Sequence, residues 1–296
     1  MRIEKVYFNT EDGIELAGLL HTSEEHSEDK VILSVHGMGS NCLKKRDDII
    51  ARFATENKIS YFSFNNRGQE LINTVHTQDG KIMQGTVFED VLDSYYDIIG
   101  AIKTLKRKGY QKIYLQGHSL GSTKIVYTYN KLVANKQSEI LDSIKAVMLL
   151  SLVDLVDVVK IMINSNPQVD IVDLAFTKEK EGKFDYVIET EVPFLPYVSV
   201  KTFLRYYRDN GEINFAQYHN NLFEYRELNN IKVPIFMRWG NNKELISLPV
   251  DKITSICKEK INNPNKDISY IDGATHNYVG KEKILANDIM NFLRKV

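Results

Sequence analysis

A chain of 296 residues is long enough to bury the core of one large α/β domain, or of one such domain that carries an insertion. Its 38 Lys and Arg residues nearly balance its 39 Asp and Glu residues, and the formal charge of -1 argues against nucleic acid and against an anionic membrane as partners. Cys42 and Cys257 lie far apart and lack zinc-site spacing, which disfavours a disulfide framework or a bound metal.

The start of the chain has no apolar signal core, because Met1 leads directly into an alternating strand pattern. No later stretch approaches the ~20 apolar residues that a membrane-spanning helix needs. We therefore expect a soluble, cytoplasmic protein.

The first half of the chain alternates between predicted strands and predicted helices. Residues 2–9 and 14–21 flank a turn, which predicts an antiparallel strand pair at the edge of a sheet. The alternation continues with strands at 31–36, 59–64, 112–116 and 145–151, and with helices near 43–57, 86–106 and 121–134. Continuous apolar strands interleaved with amphipathic helices predict a mostly parallel, doubly wound α/β sheet with helices on both faces.

The alternation stops after residue 153, and residues 154–230 show helices and loops rich in aromatic side chains. It resumes with strands at 233–239 and 267–271 and helices near 247–260 and 281–294. An insertion between two parallel strands leaves from their carboxyl ends, where open α/β sheets bind ligands. The sequence therefore predicts an α/β core of residues 1–153 and 231–296 and an inserted helical lid of residues 154–230, whose aromatic side chains either form its own core or line a pocket.

A Gly-x-Ser-x-Gly element occupies residues 117–121, between a short apolar strand and a helical pattern. This context places Ser119 on a strained strand-to-helix turn, from which its hydroxyl projects at the carboxyl edge of the sheet. The helix that begins there directs its free N–H groups towards whatever the hydroxyl attacks. Ser119 is therefore the predicted nucleophile.

A serine nucleophile needs a general base and a pair of N–H donors for the oxyanion. His276 follows the last predicted strand and lies at the same sheet edge as Ser119, which makes it the predicted base. The backbone N–H of Leu120 is one expected oxyanion donor. The second is the N–H of Met38, in the glycine-containing loop after the strand at 31–36, although these glycines could also serve only a sharp turn.

The sequence leaves two candidates for the carboxylate that would orient the base. The loop after the strand at 233–239 has Asn242 or Lys243 where an aspartate is usual, and Glu244 comes next. A glutamate can fill the role if its loop recedes by about a residue's reach. Asp154, directly after the strand at 145–151, is the alternative acid, although it also suits the N-cap of the following helix.

These features together resemble the α/β-hydrolase superfamily. The resemblance rests on the elbow at Ser119, the His36-Gly37 loop, the Asn66-Arg67-Gly68 turn, the late His276 and the insertion, and it covers nearly the whole chain. The segments 65–68 and 117–119 are similar to a branch that includes siderophore-type and cinnamoyl-type esterases. The acid position departs from the usual pattern of the superfamily.

The resemblance implies hydrolysis of a carboxylic ester through an acyl-serine, without a cofactor, on a small-molecule ester or thioester with an apolar or aromatic acyl group. Arg67 would then shape the turn beside the site and take no part in catalysis. Two alternatives stay open: a thioesterase or acyltransferase that uses the same residues, and a ligand-binding protein of the same fold without turnover.

Overall fold

The computed structural model describes residues 1–24, 29–208 and 212–296, so residues 25–28 of the predicted core and 209–211 of the predicted lid lie outside it. The strands in chain order are β1 (Arg2–Asn9), β2 (Ile14–Thr22), β3 (Lys30–Val35), β4 (Ser60–Asn65), β5 (Asn73–Thr77), β6 (Gly80–Gln84), β7 (Lys112–His118), β8 (Ile144–Leu150), β9 (Val187–Glu189), β10 (Tyr197–Ser199), β11 (Ile235–Gly240) and β12 (Lys266–Ile271). The helices are α1 (Lys45–Glu56), α2 (Ser94–Arg107), α3 (Leu120–Ala134), α4 (Ser138–Leu141), α5 (Leu155–Asn164), α6 (Ile171–Lys180), α7 (Val200–Tyr207), α8 (Arg226–Asn229), α9 (Val250–Lys260) and α10 (Glu282–Leu293).

One sheet carries the fold, with its strands in the order β12-β11-β8-β7-β3-β4-β2-β5-β6 and with β1 paired to β2. The strands from β12 to β4 are parallel, whereas β1, β2, β5 and β6 pair antiparallel at one end. The central parallel strands β3 and β8 are mostly apolar and buried along nearly their whole length because both of their faces are covered.

Helices cover both faces of this sheet. One face packs against apolar side chains of α2, α3 and α9, such as Ile98, Ile125 and Ile253. The other face packs against α1 and α10, through side chains such as Ile50 and Ile289. The predicted fold class, a mostly parallel doubly wound α/β sheet, is confirmed.

The helix predicted over 86–106 begins eight residues later, at Ser94, after a 3-10 turn at Val91–Asp93. The backbone of the residues before this helix makes hydrogen bonds to distant parts of the chain. Thr86 N–H donates to Glu70 O, and Ser199 N–H donates to Val87 O. These bonds hold residues 86–88 in a turn outside the helix, although the apolar spacing of the segment resembles that of a helix. The hairpin of β5 and β6, which lies before it, has no recognisable strand pattern in the sequence because most of its residues are polar and exposed.

Residues 155–208, here called the insert, connect β8 to the later core through α5, α6, β9, β10 and α7. Helices and loops were predicted for this region, and the structure adds the antiparallel pair of β9 and β10. The insert has an apolar cluster of its own, which extends to Val91 and Leu120 of the core. It therefore packs directly on the elbow end of α3.

The later part of the predicted lid packs differently. The buried apolar side chains between residues 215 and 231 belong to the same cluster as α2, α3 and α9, and they include Phe215, Tyr218, Tyr225 and Leu228. They cover the sheet because the chain must return to β11 along that face. The segment whose apolar side chains form a cluster separate from the sheet is thus shorter than the predicted lid of residues 154–230.

Within the three described segments, no helix combines the length and the apolar character that a membrane crossing would require.

Candidate active site

Ser119 lies between the last residue of β7 and the first residue of α3, with φ of 56° and ψ of -126°. This left-handed backbone strains a residue with a side chain and occurs where an exposed nucleophile is held on a tight turn. A Cβ on Gly117 would lie 2.4 Å from Gly121 O, and one on Gly121 would lie 2.2 Å from Val35 O. Both glycines of the motif are required by these close backbone approaches.

His276 and Glu244 are brought into contact by loops at the carboxyl ends of β12 and β11. The imidazole Nδ1 of His276 lies 2.6 Å from Glu244 Oε2. The Glu244 side chain is only 3% exposed, and that of His276 is 12% exposed. Because the carboxylate accepts the Nδ1 proton, Nε2 of His276 is free to act as a base.

The second carboxylate oxygen of Glu244 is held by the sheet edge. Oε1 accepts hydrogen bonds from Gly240 N–H and from Ser151 Oγ, each at 2.8 Å. Ser151 has φ of 48° and also contacts Tyr278 Oη at 3.0 Å. Neither Ser151 nor Tyr278 was among the predicted site residues. The position of Ser151 directly after β8, at the carboxyl edge of the sheet, could have indicated it.

Asp154 is not joined to this pair. Its carboxylate accepts hydrogen bonds from Val156 N–H, Asn214 Nδ2 and Tyr218 N–H, so it caps α5 and ties the chain after the insert to β8. Burial raises the pKa of Asp154 above its usual value. The structure places this alternative acid in the structural role that its position before a helix also suggested.

A cavity of about 330 Å3 opens over Ser119 and His276. Its walls come from the loop after β3, the start of α3, the insert and the loops after β11 and β12. The lining residues are Gly37, Met38, Ser40, His118, Ser119, Leu120, Val153, Leu155, Val158, Phe194, Lys243, Leu245, Thr275, His276 and Asn277. The predicted nucleophile, base and oxyanion donors thus share one mostly apolar cavity.

The loop that carries Met38 is anchored on both sides. His36 Nε2 accepts a hydrogen bond from Asn66 N–H at 3.1 Å, so its proton lies on Nδ1, which contacts Gly37 O at 2.9 Å. Gly39 N–H donates to Thr86 Oγ1 at 2.7 Å. Burial lowers the pKa of His36 to about 3, which keeps the ring neutral and this arrangement of donors and acceptors intact.

His118 packs beside His276, the predicted base. Its Nε2 lies 2.7 Å from His276 O, and because a carbonyl only accepts, that nitrogen carries the proton. The two rings lie 4.9 Å apart between centroids. Burial, reinforced by the Arg46 guanidinium, holds the pKa of His118 well below its usual value, so no second positive charge adjoins the base.

A buried ion pair lies beneath the site, between Lys124 of α3 and Glu89, and both side chains are 0% exposed. Lys124 Nζ also donates to Asn66 Oδ1 at 3.1 Å, which connects the helix after Ser119 to the turn that holds His36. Nothing in the sequence pattern indicated that Lys124 and Glu89 would form this pair. Arg67, by contrast, pairs with Asp97 at 2.7 Å, in keeping with the predicted structural role.

A hydroxyl, an imidazole and a carboxylate in this order can perform nucleophilic acyl transfer, and two backbone N–H groups beside them can stabilise an oxyanion. The first residue of α3, Leu120, has no helical acceptor for its N–H, which leaves that donor available at the cavity wall. Among the described residues, no three His, Cys, Asp or Glu side chains gather as a metal site would need. The individual roles stay predictions.

Neither a protein-family model nor a curated protein matches the chain. Its fold does match solved structures. Est1E from Butyrivibrio proteoclasticus is similar with a TM-score of 0.65 at 12% identity, over 98% of this chain and 98% of that chain. The esterase Pf2001 from Pyrococcus furiosus gives 0.61 at 15% identity, over 99% and 91%. The α/β hydrolase GrgF from Penicillium sp. gives 0.63 at 15% identity, over 100% and 99%.

This chain has the α/β-hydrolase fold, which confirms the resemblance drawn from the sequence at the level of the fold. At 12% to 15% identity, the activity of those proteins does not transfer with the fold.

Proposed function

We propose that this protein is a carboxylic-ester hydrolase that works through an acyl-serine. One observation carries the proposal. Ser119 lies on a strained elbow and lines the same cavity as His276. Nδ1 of His276 is in contact with the buried Glu244 carboxylate. A structural histidine would not need a buried carboxylate on one nitrogen and an open cavity on the other. The esterase names of Est1E and Pf2001 agree with the proposal.

The acylation step involves all of these groups. Ser119 Oγ attacks the ester carbonyl while His276 Nε2 takes its proton, and Glu244 stabilises the imidazolium that forms. The N–H groups of Met38 and Leu120 donate to the oxyanion. His276 then protonates the leaving alkoxide, the C–O bond breaks, and the acyl group remains on Ser119.

Deacylation repeats the same steps with water as the nucleophile. His276 takes a proton from the water that attacks the acyl-serine, and it returns that proton to Ser119 Oγ when the acid departs. The buried contact between Glu244 and His276 supports turnover, and it counts against a ligand-binding protein of this fold without catalysis.

The cavity supports a small or medium ester with an apolar or aromatic acyl group. Val153, Leu155, Val158 and Phe194 form an apolar wall on the insert side, and about 330 Å3 holds a one-ring acyl group with a short alcohol. One of the similar structures is Est1E with bound ferulic acid, an aromatic acid of this size class.

The insert acts as a lid in this proposal. It supplies Leu155, Val158 and Phe194 to the cavity and has an apolar cluster of its own, so it can shift as a unit over the elbow. The lid comprises residues 155–208, because the buried apolar side chains between residues 215 and 231 pack on the sheet.

The nucleophile is tested with a fluorophosphonate probe, which reacts covalently with an activated serine. The native chain and a Ser40→Ala variant, which alters another serine of the same cavity, should be labelled, whereas Ser119→Ala should not. Hydrolysis of para-nitrophenyl acetate is followed in parallel. Labelling of the Ser119→Ala variant at the native rate would overturn the assignment.

A further inference from the structure

The cavity over Ser119 has a one-sided charge. Lys243 is the only permanently cationic side chain among the described residues that line it, and none of those residues is an acid. Glu244, the nearest carboxylate in sequence, is turned away towards His276, Ser151 and Gly240. An apolar cavity with one cation at its wall attracts a ligand that is apolar with a single anionic end.

Lys243 is held at this wall by its backbone. It has φ of 60°, in the left-handed region that a residue with a side chain enters at a cost. The preceding Asn242 donates its N–H to Ala274 O at 2.9 Å, and the following Glu244 is bonded to His276. The loop of Lys243 is therefore fixed to the loop of the base, and both lie on the same side of the cavity.

The ammonium of Lys243 is also free to bind a ligand. In the described segments, no carboxylate lies within ion-pair distance of it, whereas Lys124 and Arg67 are paired with buried acids. The Lys243 side chain is exposed, so a ligand anion meets it without the desolvation penalty of a buried pair.

Because Lys243 lies on the same side of the cavity as His276, we can infer which part of a substrate it would contact. His276 must protonate the oxygen of the leaving group, so that group lies on the His276 side, while the acyl group points to the apolar wall of the insert. We infer that Lys243 selects esters whose leaving alcohol or phenol carries a carboxylate. This inference rests on the proposed esterase activity.

The test compares two acetate esters with the same phenyl ring in the leaving group: para-acetoxybenzoate, which carries a carboxylate there, and its neutral methyl ester. The measured quantity is the ratio of their kcat/KM values, and comparing this ratio between variants removes the difference in intrinsic reactivity. In Lys243→Gln, the ratio of anionic to neutral ester should fall about fivefold, the size of an exposed ion pair. Lys243→Arg should retain it, and 1 M salt should lower it in the native protein.

Lys58→Gln is the matched control, because Lys58 is also exposed with φ of 60° but does not line the cavity. It should leave the ratio unchanged. A second ester pair, para-nitrophenyl hemisuccinate and para-nitrophenyl butyrate, places the charge on the acyl side. Its ratio should not depend on Lys243.

Three results would contradict the inference. An unchanged ratio in Lys243→Gln, with the neutral ester still hydrolysed, would overturn the role of Lys243 and leave the esterase activity standing. Dependence of the hemisuccinate pair on Lys243 would overturn the assignment to the leaving group. Hydrolysis of none of the four esters by the native protein would overturn the esterase activity and this inference with it.

Discussion

Glu244 has one more methylene than the aspartate usual at this position, and the structure shows how the extra length is used. The side chain follows β11 by four residues and still places Oε2 2.6 Å from His276, because Oε1 is held by Gly240 N–H and Ser151 Oγ. A carboxylate held at three points keeps the imidazole in one tautomer and one orientation.

We predict that Glu244→Gln lowers kcat by about a hundredfold to ten-thousandfold, because an amide cannot stabilise the imidazolium and can favour the wrong tautomer. Asp154→Asn should lower kcat far less, since the side chain does not contact His276 and asparagine Oδ1 can still cap α5, although the amide gives up the hydrogen bond from Tyr218 N–H. Steady-state hydrolysis of para-nitrophenyl acetate measures both. Native turnover in Glu244→Gln with a loss in Asp154→Asn would reverse the assignment.

His36 makes stability depend on pH. Its pKa falls from 6.5 to about 3 on folding, so between these values the unfolded chain binds a proton that the folded chain does not. Stability is therefore lost as pH falls below about 6.5. From about pH 7 to about pH 5, this group alone should lower the free energy of unfolding by about 2 kcal/mol.

Urea unfolding at the two pH values measures this difference. The His36→Gln variant should show a pH difference smaller by about 2 kcal/mol than the native chain, because glutamine does not titrate. An equal pH dependence in the two proteins would show that His36 is not held neutral. His118, whose pKa is also lowered, adds to the native slope with the same sign.

Helix α3 is tied to the loops around the active site by the ion pair of Lys124 and Glu89. Oε2 of Glu89 has no hydrogen-bond partner among the described residues, and a Cβ on Gly68 would lie 2.3 Å from the Glu89 carboxylate. A pair that is fully buried and incompletely satisfied connects elements at a high desolvation penalty. Breaking it on one side should therefore be worse than removing it.

We predict that Lys124→Met lowers the free energy of unfolding by about 3–5 kcal/mol, because it leaves the Glu89 carboxylate buried and unpaired. The double variant Lys124→Met/Glu89→Leu should recover most of this loss. Arg52→Met, which removes one side of the exposed pair with Asp48, should have a much smaller effect. A double variant as unstable as the single one would contradict this account.

A helix or strand can be predicted from sequence when neighbouring residues along the chain determine its structure. Strands β3, β7 and β8 lie within one residue of their predicted bounds at most ends, because continuous burial on both faces leaves an apolar run. The segment at 86–93 has helical apolar spacing, yet it stays out of the helix because its backbone bonds to distant loops. Those partners are not encoded in the spacing.

The whole molecule consists of a sheet core and an insert that share the cavity. The insert contacts the core at one side, through the apolar cluster around Leu120 and Val91 and through hydrogen bonds such as that from Ser199 N–H to Val87 O, whereas the central strands are buried on both sides. Regions with fewer core contacts open locally at lower free energy. The proposed lid should therefore open independently of the sheet.

We predict that amides of α5, α6 and α7 exchange with solvent faster than those of β3, β7 and β8. A fluorophosphonate adduct on Ser119 should slow exchange in α5, because the adduct fills the cavity against Leu155 and Val158. Hydrogen exchange followed by mass spectrometry measures this, with α10 as an internal control away from the cavity. Insert exchange as slow as that of β7, and unaltered by the adduct, would contradict a mobile lid.

The fold class, the order of the main strands and helices, and the position of Ser119 on the elbow can all be predicted from the amino-acid sequence. These depend on local patterns: apolar runs, helical periodicity and glycines at fixed spacing. Tertiary structure alone decided that Glu244 and not Asp154 contacts His276, and that Ser151, Lys124 and Glu89 support the site. The physical reason is distance along the chain, because each of these contacts joins residues of separate strands or loops that only the folded sheet edge brings together.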